Sequence, residues 1–183
     1  MRASEQAKRA DLFATSGADR ASAQVRKALQ EGRPEEVAQF LGRYWSVQAP
    51  VEHGDAHGRT MGFPTANMHL DDIDFLAFGI YAVRVSILEG GRAVERHDGV
   101  ANFGIRPMYR TTKPLMEAHL FDFSGDLYGK ILSVELVAWL RAEAAFSSLE
   151  ALIVQIAADA AQARAILTGE ADAMRGSSNQ NAT

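Results

Sequence analysis

The stretch GIYAVRVSILEGGR, residues 79–92, decides the fold class. Its first ten residues alternate with a period of two, and one side carries the larger apolar residues Tyr81, Val83, Val85 and Ile87. This alternation is typical of a β-strand that buries one face. The sequence Glu-Gly-Gly-Arg at residues 89–92 is a hairpin signal. We therefore expect the strand to turn back onto an antiparallel neighbour.

Further strand-like runs follow the hairpin, with turn residues between them. They are HDGVANFG at 97–104, LMEAHLFDF at 115–123 and KILSVELVAWL at 130–140. No helical segment separates these runs, which disfavours a parallel sheet with crossover helices. For the segment that begins at residue 44 we expect a small antiparallel barrel, because closure removes the exposed edges of such a sheet.

Helical patterns flank the predicted barrel on both sides. One short helix is expected to end at Gly32 and a second to run from Pro34 to Gly42. A final helix is expected to begin at a capping box in which Ser147 is the cap, and to end at Gly169. We expect three parts: a helical leader at 1–43, a barrel with its final helix at 44–169, and a disordered tail at 170–183.

The composition excludes several classes of protein. The 183 residues are 47% apolar and 23% charged, with a net charge of −4 and no cysteine. A nucleic-acid binder normally has a basic surface, so we expect no nucleic-acid partner. The absence of cysteine excludes disulfides and thiolate sites. No apolar run reaches the roughly 20 residues of a membrane helix and no signal peptide is evident, so we expect a cytoplasmic protein.

The loop HGDAHGRTMGFPTAN, residues 53–67, is the first candidate site. Gly54, Gly58 and Gly62 recur every four residues, which suits neither a helix nor a strand. A backbone that approaches another group closely is the better interpretation. Arg59 and the loop amides could bind phosphate oxygens, although the spacing is not that of a P-loop.

Thr65 and Asn67 follow this loop directly, and Glu117 is a second candidate further along the chain. Two residues apart on an extended backbone, Thr65 and Asn67 face the same way and could offer oxygens to Mg²⁺. The alternative is a turn in which Asn67 binds its own backbone. Glu117 shares a strand face with His119, and it is either a solvated rim residue or a carboxylate with a chemical role. Arg141 and Glu143 could form an exposed salt bridge worth under about 1 kcal/mol.

Taken together, these motifs resemble the riboflavin kinases. The motifs, in chain order, are GRTMGFPTAN, GIYAVRV, GVANFGIRPMY, MEAHLFDFSGDLYGK and LRAEAAFSSLEALIVQI. The resemblance covers about residues 41–167 and includes the kinase module of bacterial bifunctional riboflavin kinase/FAD synthetases. It implies a mainly β fold, a six-stranded antiparallel Greek-key barrel with a C-terminal helix. It also implies transfer of the ATP γ-phosphate to the 5′-hydroxyl of riboflavin, giving FMN and ADP.

The resemblance also implies roles for individual residues. Glu117 corresponds to the catalytic carboxylate, and Thr65 and Asn67 correspond to the ligands of Mg²⁺ and ATP. Residues implied to cover or line the nucleotide are Gly54, Gly58, Arg59, Gly62, Arg110, Thr112 and Asp122. Residues implied at the flavin end are Arg141, Glu143 and Phe146.

Three departures and two alternative functions remain open. Phe103, Ile105 and Ala142 differ from the usual family residues and could alter the fit of the flavin. Residues 22–32 resemble the end of an adenylyltransferase module whose other motifs are missing, so we expect no FAD synthesis. An adenylyltransferase partner is possible. The alternatives are a silent regulator that binds flavin or nucleotide, and a structural module that docks an adenylyltransferase through the N-terminal helices.

Overall fold

The computed structural model of the chain describes residues 18–54, 57–70, 73–105 and 114–180. The helices are α1 (Ala18–Gln30), α2 (Pro34–Leu41), α3 (His57–Thr60) and α4 (Leu149–Gln180). The strands are β1 (Trp45–Pro50), β2 (Ala66–His69), β3 (Gly79–Glu89), β4 (Arg92–Ile105), β5 (Pro114–Leu120) and β6 (Ile131–Arg141).

The six strands form one antiparallel sheet in the order β1-β6-β3-β4-β5-β2. The predicted hairpin joins β3 to β4, with Gly90 and Gly91 at positive φ in its turn. Strands β3, β4 and β5 form a meander and β6 returns to pair with β3, which is a Greek key. The sheet curls until the amide of Glu52 donates to the carbonyl of Asn67 at 2.9 Å. The predicted antiparallel Greek-key architecture is confirmed. The sheet is curled into a half-barrel, and its two edges approach each other at the bridge between Glu52 and Asn67.

The interior of the half-barrel is apolar, and the N-terminal helices close one end of it. Leu29 of α1 and Val37 of α2 belong to the same buried cluster as Trp45 and Tyr81. The amide of Ala77 donates to the carbonyl of Leu29 at 3.0 Å, which ties α1 to the chain before β3. The helices predicted as a separate leader therefore share the core of the barrel.

Helix α4 packs on the outer face of the sheet. Its buried residues Ala163 and Leu167 contact a second apolar cluster that includes Val100 and Val137. The helix begins one residue later than the capping box predicted, because the amide of Ala151 donates to the hydroxyl of Ser148 at 3.2 Å. Ser148, not Ser147, is thus the cap. Hydrogen bonds from its own backbone amide and from Ser148 lower the pKa of Glu150.

Two element ends differ from the prediction. Strand β5 stops at Leu120, because Asp122 turns the chain with φ of 56°. A short polar side chain tolerates this left-handed conformation. Helix α4 passes Gly169 and continues to Gln180, so it covers most of the range for which a tail was predicted.

One segment of α4 is long and apolar by the standard of a membrane-spanning helix, which the sequence did not lead us to expect. Within the part of the chain that the structure describes, Leu149–Gly169 is long and apolar enough to cross a membrane by length and composition. This is weak evidence for a membrane segment, since helices of folded domains pass the same test and Leu167 packs on the sheet. The segment is not an uninterrupted apolar run, because Glu150, Asp159 and Arg164 lie within it.

We expect Leu167→Ala to lower the free energy of unfolding by about 2–4 kcal/mol, because it opens a cavity under α4. The side chain of Leu167 is fully buried, whereas that of Leu149 is 56% exposed. Leu149→Ala is the matched control and should change stability by under about 0.5 kcal/mol. Urea unfolding followed by circular dichroism measures both. Equal losses in the two variants would contradict the packing of α4 described above.

Candidate active site

A row of side chains crosses the outer face of the sheet and unites residues that are far apart in sequence. Asn67 on β2 lies opposite Glu117 on β5, and Glu117 lies opposite Asn102 on β4. Asn102 lies opposite Ile80 on β3, and Ile80 lies opposite Arg141 on β6. Directly opposed residues share a face, with Cβ atoms about 4.5–5.5 Å apart. The structure therefore brings Asn67 and Glu117 together and places Arg141 at the other end of the same row.

A first cavity of about 380 Å³ lies over this row, between the sheet, α3 and the start of α4. Six of the residues to which the resemblance assigns a role in the site line it: Gly58, Thr65, Glu117, Arg141, Glu143 and Phe146. Much of the remaining wall is apolar and comes from Met61, Phe63, Ile80, Leu152 and Ile156. An apolar cavity with a few polar groups is the usual form of a small-molecule site.

A second cavity of about 300 Å³ lies on the other side of Thr65, which lines both cavities. Arg59 contributes to its wall, as do Phe123 and Tyr128 from the turn before β6. The ring of Tyr128 stacks on that of His53 at 3.9 Å between centroids. Two ligand-sized spaces thus share Thr65 in their walls, two residues before Asn67, which pairs with Glu117 across the sheet.

Two of the three loop glycines lie so close to other atoms that a larger side chain would clash. A Cβ at Gly54 would lie 2.5 Å from the side-chain nitrogen of Asn67, and one at Gly58 would lie 2.3 Å from the carbonyl oxygen of Phe63. Gly62 has φ of 84°. One helical turn, α3, lies within the segment that was expected to be a loop throughout, so that expectation is wrong for His57–Thr60.

His119 connects strand β5 to the turn before Thr65. Its Nδ1 donates to the carbonyl of Pro64 at 2.8 Å. The ring lies edge-on to Phe63 and Phe121, with centroid distances of 5.5 and 5.8 Å. The strand that carries Glu117 and the turn that carries Thr65 are therefore held to each other.

Arg141 is held by Asp159, a residue that the sequence analysis missed. Its Nε and Nη2 donate to the two carboxylate oxygens at 2.9 and 2.6 Å. Gln155 donates to the same carboxylate at 2.9 Å, and Asp159 is only 4% exposed. The partner of Arg141 is thus not Glu143, whose carboxylate packs against Gly104. One indication of a role for Asp159 is available from the sequence, because it is an acid within the apolar stripe of the final helix.

Three more of the predicted residues, Gly54, Gly62 and Asn67, line neither cavity, although Asn67 lies opposite Glu117. Asp122 lines neither cavity and accepts two hydrogen bonds from Arg164, at 2.8 and 3.1 Å, which lower its pKa. Arg110 and Thr112 lie outside the described residues.

The three departures from the family pattern also lie outside the cavity walls. Phe103 faces the barrel interior, where it is fully buried 5.5 Å from the ring of Phe78. Ile105 is 36% exposed. The carbonyl of Ala142 accepts a hydrogen bond from Arg141 at 2.9 Å. Neither Phe103 nor Ile105 lines either of the two cavities, so direct contact with a ligand there is not supported.

The oxygens near Thr65 suit a cation that arrives with a nucleotide. Among the described residues no group of three His, Cys, Asp or Glu side chains could hold a metal alone. Thr65 and Asn67 offer neutral oxygens, and the carboxylate of Glu117 stands opposite Asn67. Mg²⁺ is usually bound by one or two such groups together with substrate phosphates and water. This donor set therefore fits Mg²⁺ held jointly with phosphate.

Comparisons with known proteins show which family this chain resembles. The Flavokinase family model, described as riboflavin kinase, matches residues 41–167. The bifunctional riboflavin kinase/FMN adenylyltransferase of Haemophilus influenzae is 39% identical over 144 residues, which cover 79% of this chain and 46% of the relative. The Escherichia coli K12 protein of the same description is 38% identical over 152 residues, 83% of this chain and 47% of the relative. The chain thus spans about half the length of the curated relatives it matches.

A solved structure shows a similar fold. A Streptococcus pneumoniae crystal structure described as a macrolide-efflux protein has a TM-score of 0.67 and 32% identity, over 75% of this chain and 44% of that one. The efflux activity in that description concerns that protein. Because the family model matches well over half of this chain, the chain belongs to the riboflavin kinase family.

Proposed function

We propose that this chain is a riboflavin kinase, which transfers the γ-phosphate of ATP to the 5′-hydroxyl of riboflavin and releases FMN and ADP. The observation that carries the proposal is the meeting of two cavities at Thr65, beside the opposed pair Asn67 and Glu117. A transferase with two substrates needs two binding spaces that share one reaction point. Family membership supports riboflavin and ATP as those two substrates.

The flavin occupies the first cavity in this proposal. Its apolar wall suits a flat ring system. The ring of Phe146 and the guanidinium of Arg141, whose Cζ lies 5.8 Å from the centroid of that ring, can each contact the flavin. ATP occupies the second cavity, where Arg59 can pair with phosphate oxygens. This assignment directs the hydroxyl and the phosphate toward each other from opposite sides of Thr65.

Phosphoryl transfer requires mainly alignment of the reactants and neutralisation of charge. Glu117 accepts the proton of the 5′-hydroxyl as the oxygen attacks the γ-phosphorus, and the bond from phosphorus to the β-γ bridging oxygen breaks. The bridging oxygen leaves with ADP. His119 holds the turn of Thr65 against the strand of Glu117 and so maintains the spacing between donor and acceptor.

Thr65 and Asn67 would hold Mg²⁺ when the nucleotide is bound. The ion would supply positive charge to the phosphate oxygens. We also propose that the enzyme works in the cytoplasm, with riboflavin and ATP as its small-molecule partners. An adenylyltransferase partner stays a prediction.

We expect Gly54→Ala to raise the KM for ATP about ten- to hundredfold, because the new Cβ displaces the Asn67 amide. The KM for riboflavin should change little. Gly169→Ala is the control, since a Cβ there would meet nothing within 4 Å. Initial rates over a range of ATP concentrations at saturating MgCl₂ and riboflavin give the comparison. An unchanged KM for ATP in Gly54→Ala would remove Asn67 from the nucleotide site.

The activity itself is tested by incubating the protein with riboflavin, ATP and MgCl₂ and separating the flavins by chromatography with fluorescence detection. FMN that forms only with protein, ATP and metal is the expected result. Tight riboflavin binding without FMN would contradict the proposal and favour a silent flavin-binding regulator. The same chromatogram tests the prediction that no FAD forms.

A further inference from the structure

Asn102 in the wall of the first cavity has a side-chain oxygen without a partner. Its Oδ1 is shielded from solvent, and it is the one buried side-chain polar atom in the described part of the chain that has no hydrogen-bond partner. Leaving a buried amide oxygen unpaired costs stability, so native proteins rarely do so without a reason. Because Asn102 lines the first cavity, a rotation of its side-chain amide would let this oxygen accept a hydrogen bond from a ligand there, a bond that the folded chain does not supply.

The position of Asn102 in the sheet makes the residue harder to explain by structure alone. It lies on β4, a strand paired on both sides. Asparagine is depleted in strands relative to valine or threonine. Its neighbours Ala101 and Phe103 face the core and fill it without help from the amide. Neither backbone preference nor packing calls for asparagine at this position.

The row across the sheet indicates which part of a ligand would reach Asn102. Adjacent strands lie about 4.8 Å apart, so Asn102 is one such step from Glu117, and Arg141 is three steps, about 14 Å, from Glu117. In the proposed function the phosphate-accepting hydroxyl is at Glu117 and the flavin ring lies toward Arg141. The ribityl chain, which connects the two, then passes over Asn102.

We infer that the side-chain amide of Asn102 binds a hydroxyl of the ribityl chain, and so aligns that chain for phosphate transfer and favours flavins that carry it. This inference rests on the proposed function. A hydroxyl group both donates and accepts, so it can satisfy the buried oxygen and can also accept from the amide nitrogen. Asn102 is thus a residue for substrate specificity, next to the residue that accepts the proton.

Two flavins separate this role from a structural one. Lumiflavin has the ring system of riboflavin with a methyl group in place of the ribityl chain. Quenching of flavin fluorescence gives the Kd of each flavin for the wild-type chain and for Asn102→Ala. We expect the Kd for riboflavin to rise about tenfold in the variant, or ~1.4 kcal/mol, while the Kd for lumiflavin stays constant.

Asn102→Val is the second variant, because valine suits a strand and removes the unpaired oxygen. It should unfold in urea at the wild-type midpoint or above, and yet show the same selective loss of riboflavin binding. In turnover, both variants should raise the KM for riboflavin and leave the KM for ATP unchanged. If the role of Asn102 were merely structural, the variants would unfold at a lower urea concentration and would bind both flavins less tightly.

Three results would overturn the inference. An equal rise in the Kd for riboflavin and for lumiflavin would mean that Asn102 contacts the flavin ring or only supports the fold. Unchanged binding of riboflavin would remove it from the site, and a rise in the KM for ATP alone would assign it to the nucleotide ribose. If the wild-type chain binds riboflavin but makes no FMN, the proposed function fails, whereas the comparison of the two flavins still decides the role of Asn102.

Discussion

Glu117→Gln should lower kcat by about 10²–10⁴, the usual loss when a general base is removed. Glutamine keeps the size of the side chain and its capacity to hydrogen-bond, but it does not take up the proton of the attacking hydroxyl. The side chain lines the first cavity opposite Asn67, so the loss should appear in kcat more than in the KM of either substrate. Steady-state FMN formation with each substrate varied in turn measures the three constants.

Glu89→Gln is the matched control for this variant. Glu89 is an exposed residue at the end of β3 beside the hairpin turn, and the same change there should leave all three constants within about twofold. Riboflavin binding to Glu117→Gln should remain near that of the wild type. Near-normal turnover in Glu117→Gln would refute its role as proton acceptor.

Arg141→Ala should lower the free energy of unfolding by about 3 kcal/mol and also raise the KM for riboflavin. Removal of one partner from a buried ion pair costs about 3–5 kcal/mol, because the other charge stays buried. We expect the lower end, since the Arg141 side chain is 24% exposed while that of Asp159 is 5% exposed. The pair ties the end of β6 to α4, and both elements line the first cavity. Urea unfolding gives the stability, and initial rates give the KM.

Arg96→Ala is the control for stability. Arg96 also pairs with a carboxylate, that of Glu135, but its side chain is 54% exposed, so its loss should cost under about 1 kcal/mol. The double variant Arg141→Ala/Asp159→Asn should recover part of the stability lost in Arg141→Ala, because no buried charge is left. Two results would show that the ion pair does not hold the cavity together. One is an equally small loss of stability in Arg141→Ala and Arg96→Ala, and the other is a double variant that is no more stable than Arg141→Ala.

The sheet was predictable from local patterns, because its strands have two unlike faces. The residues on β3 that alternate into the core are the ones that the period of two identified, and the hairpin follows from Gly90 and Gly91. The end of α4 was not predictable in this way. A glycine within a helix costs only about 1 kcal/mol relative to alanine, and Gly169 is one that the helix passes without ending.

The candidate site was predictable to a lesser extent, since it depends on contacts between distant parts of the chain. Spacing suggested Thr65 and Asn67 as a pair, but the role of Glu117 came from the family resemblance. Asp159 acts through Arg141, which lies 18 residues away. An acid within the apolar stripe of α4 indicates that it needs a partner, but it does not indicate which residue is that partner. The position of Asn102 beside Glu117 depends on the register of β4 with its two neighbouring strands, which the sequence alone does not give.

The most direct test is a crystal structure of the protein with riboflavin, MgCl₂ and a non-hydrolysable ATP analogue. We expect the flavin ring in the first cavity near Phe146 and the nucleotide in the second cavity near Arg59. The 5′-hydroxyl should lie about 2.6–3.2 Å from the carboxylate of Glu117, within the reach that a general base needs. A flavin in the second cavity, or a 5′-hydroxyl remote from Glu117, would contradict the account.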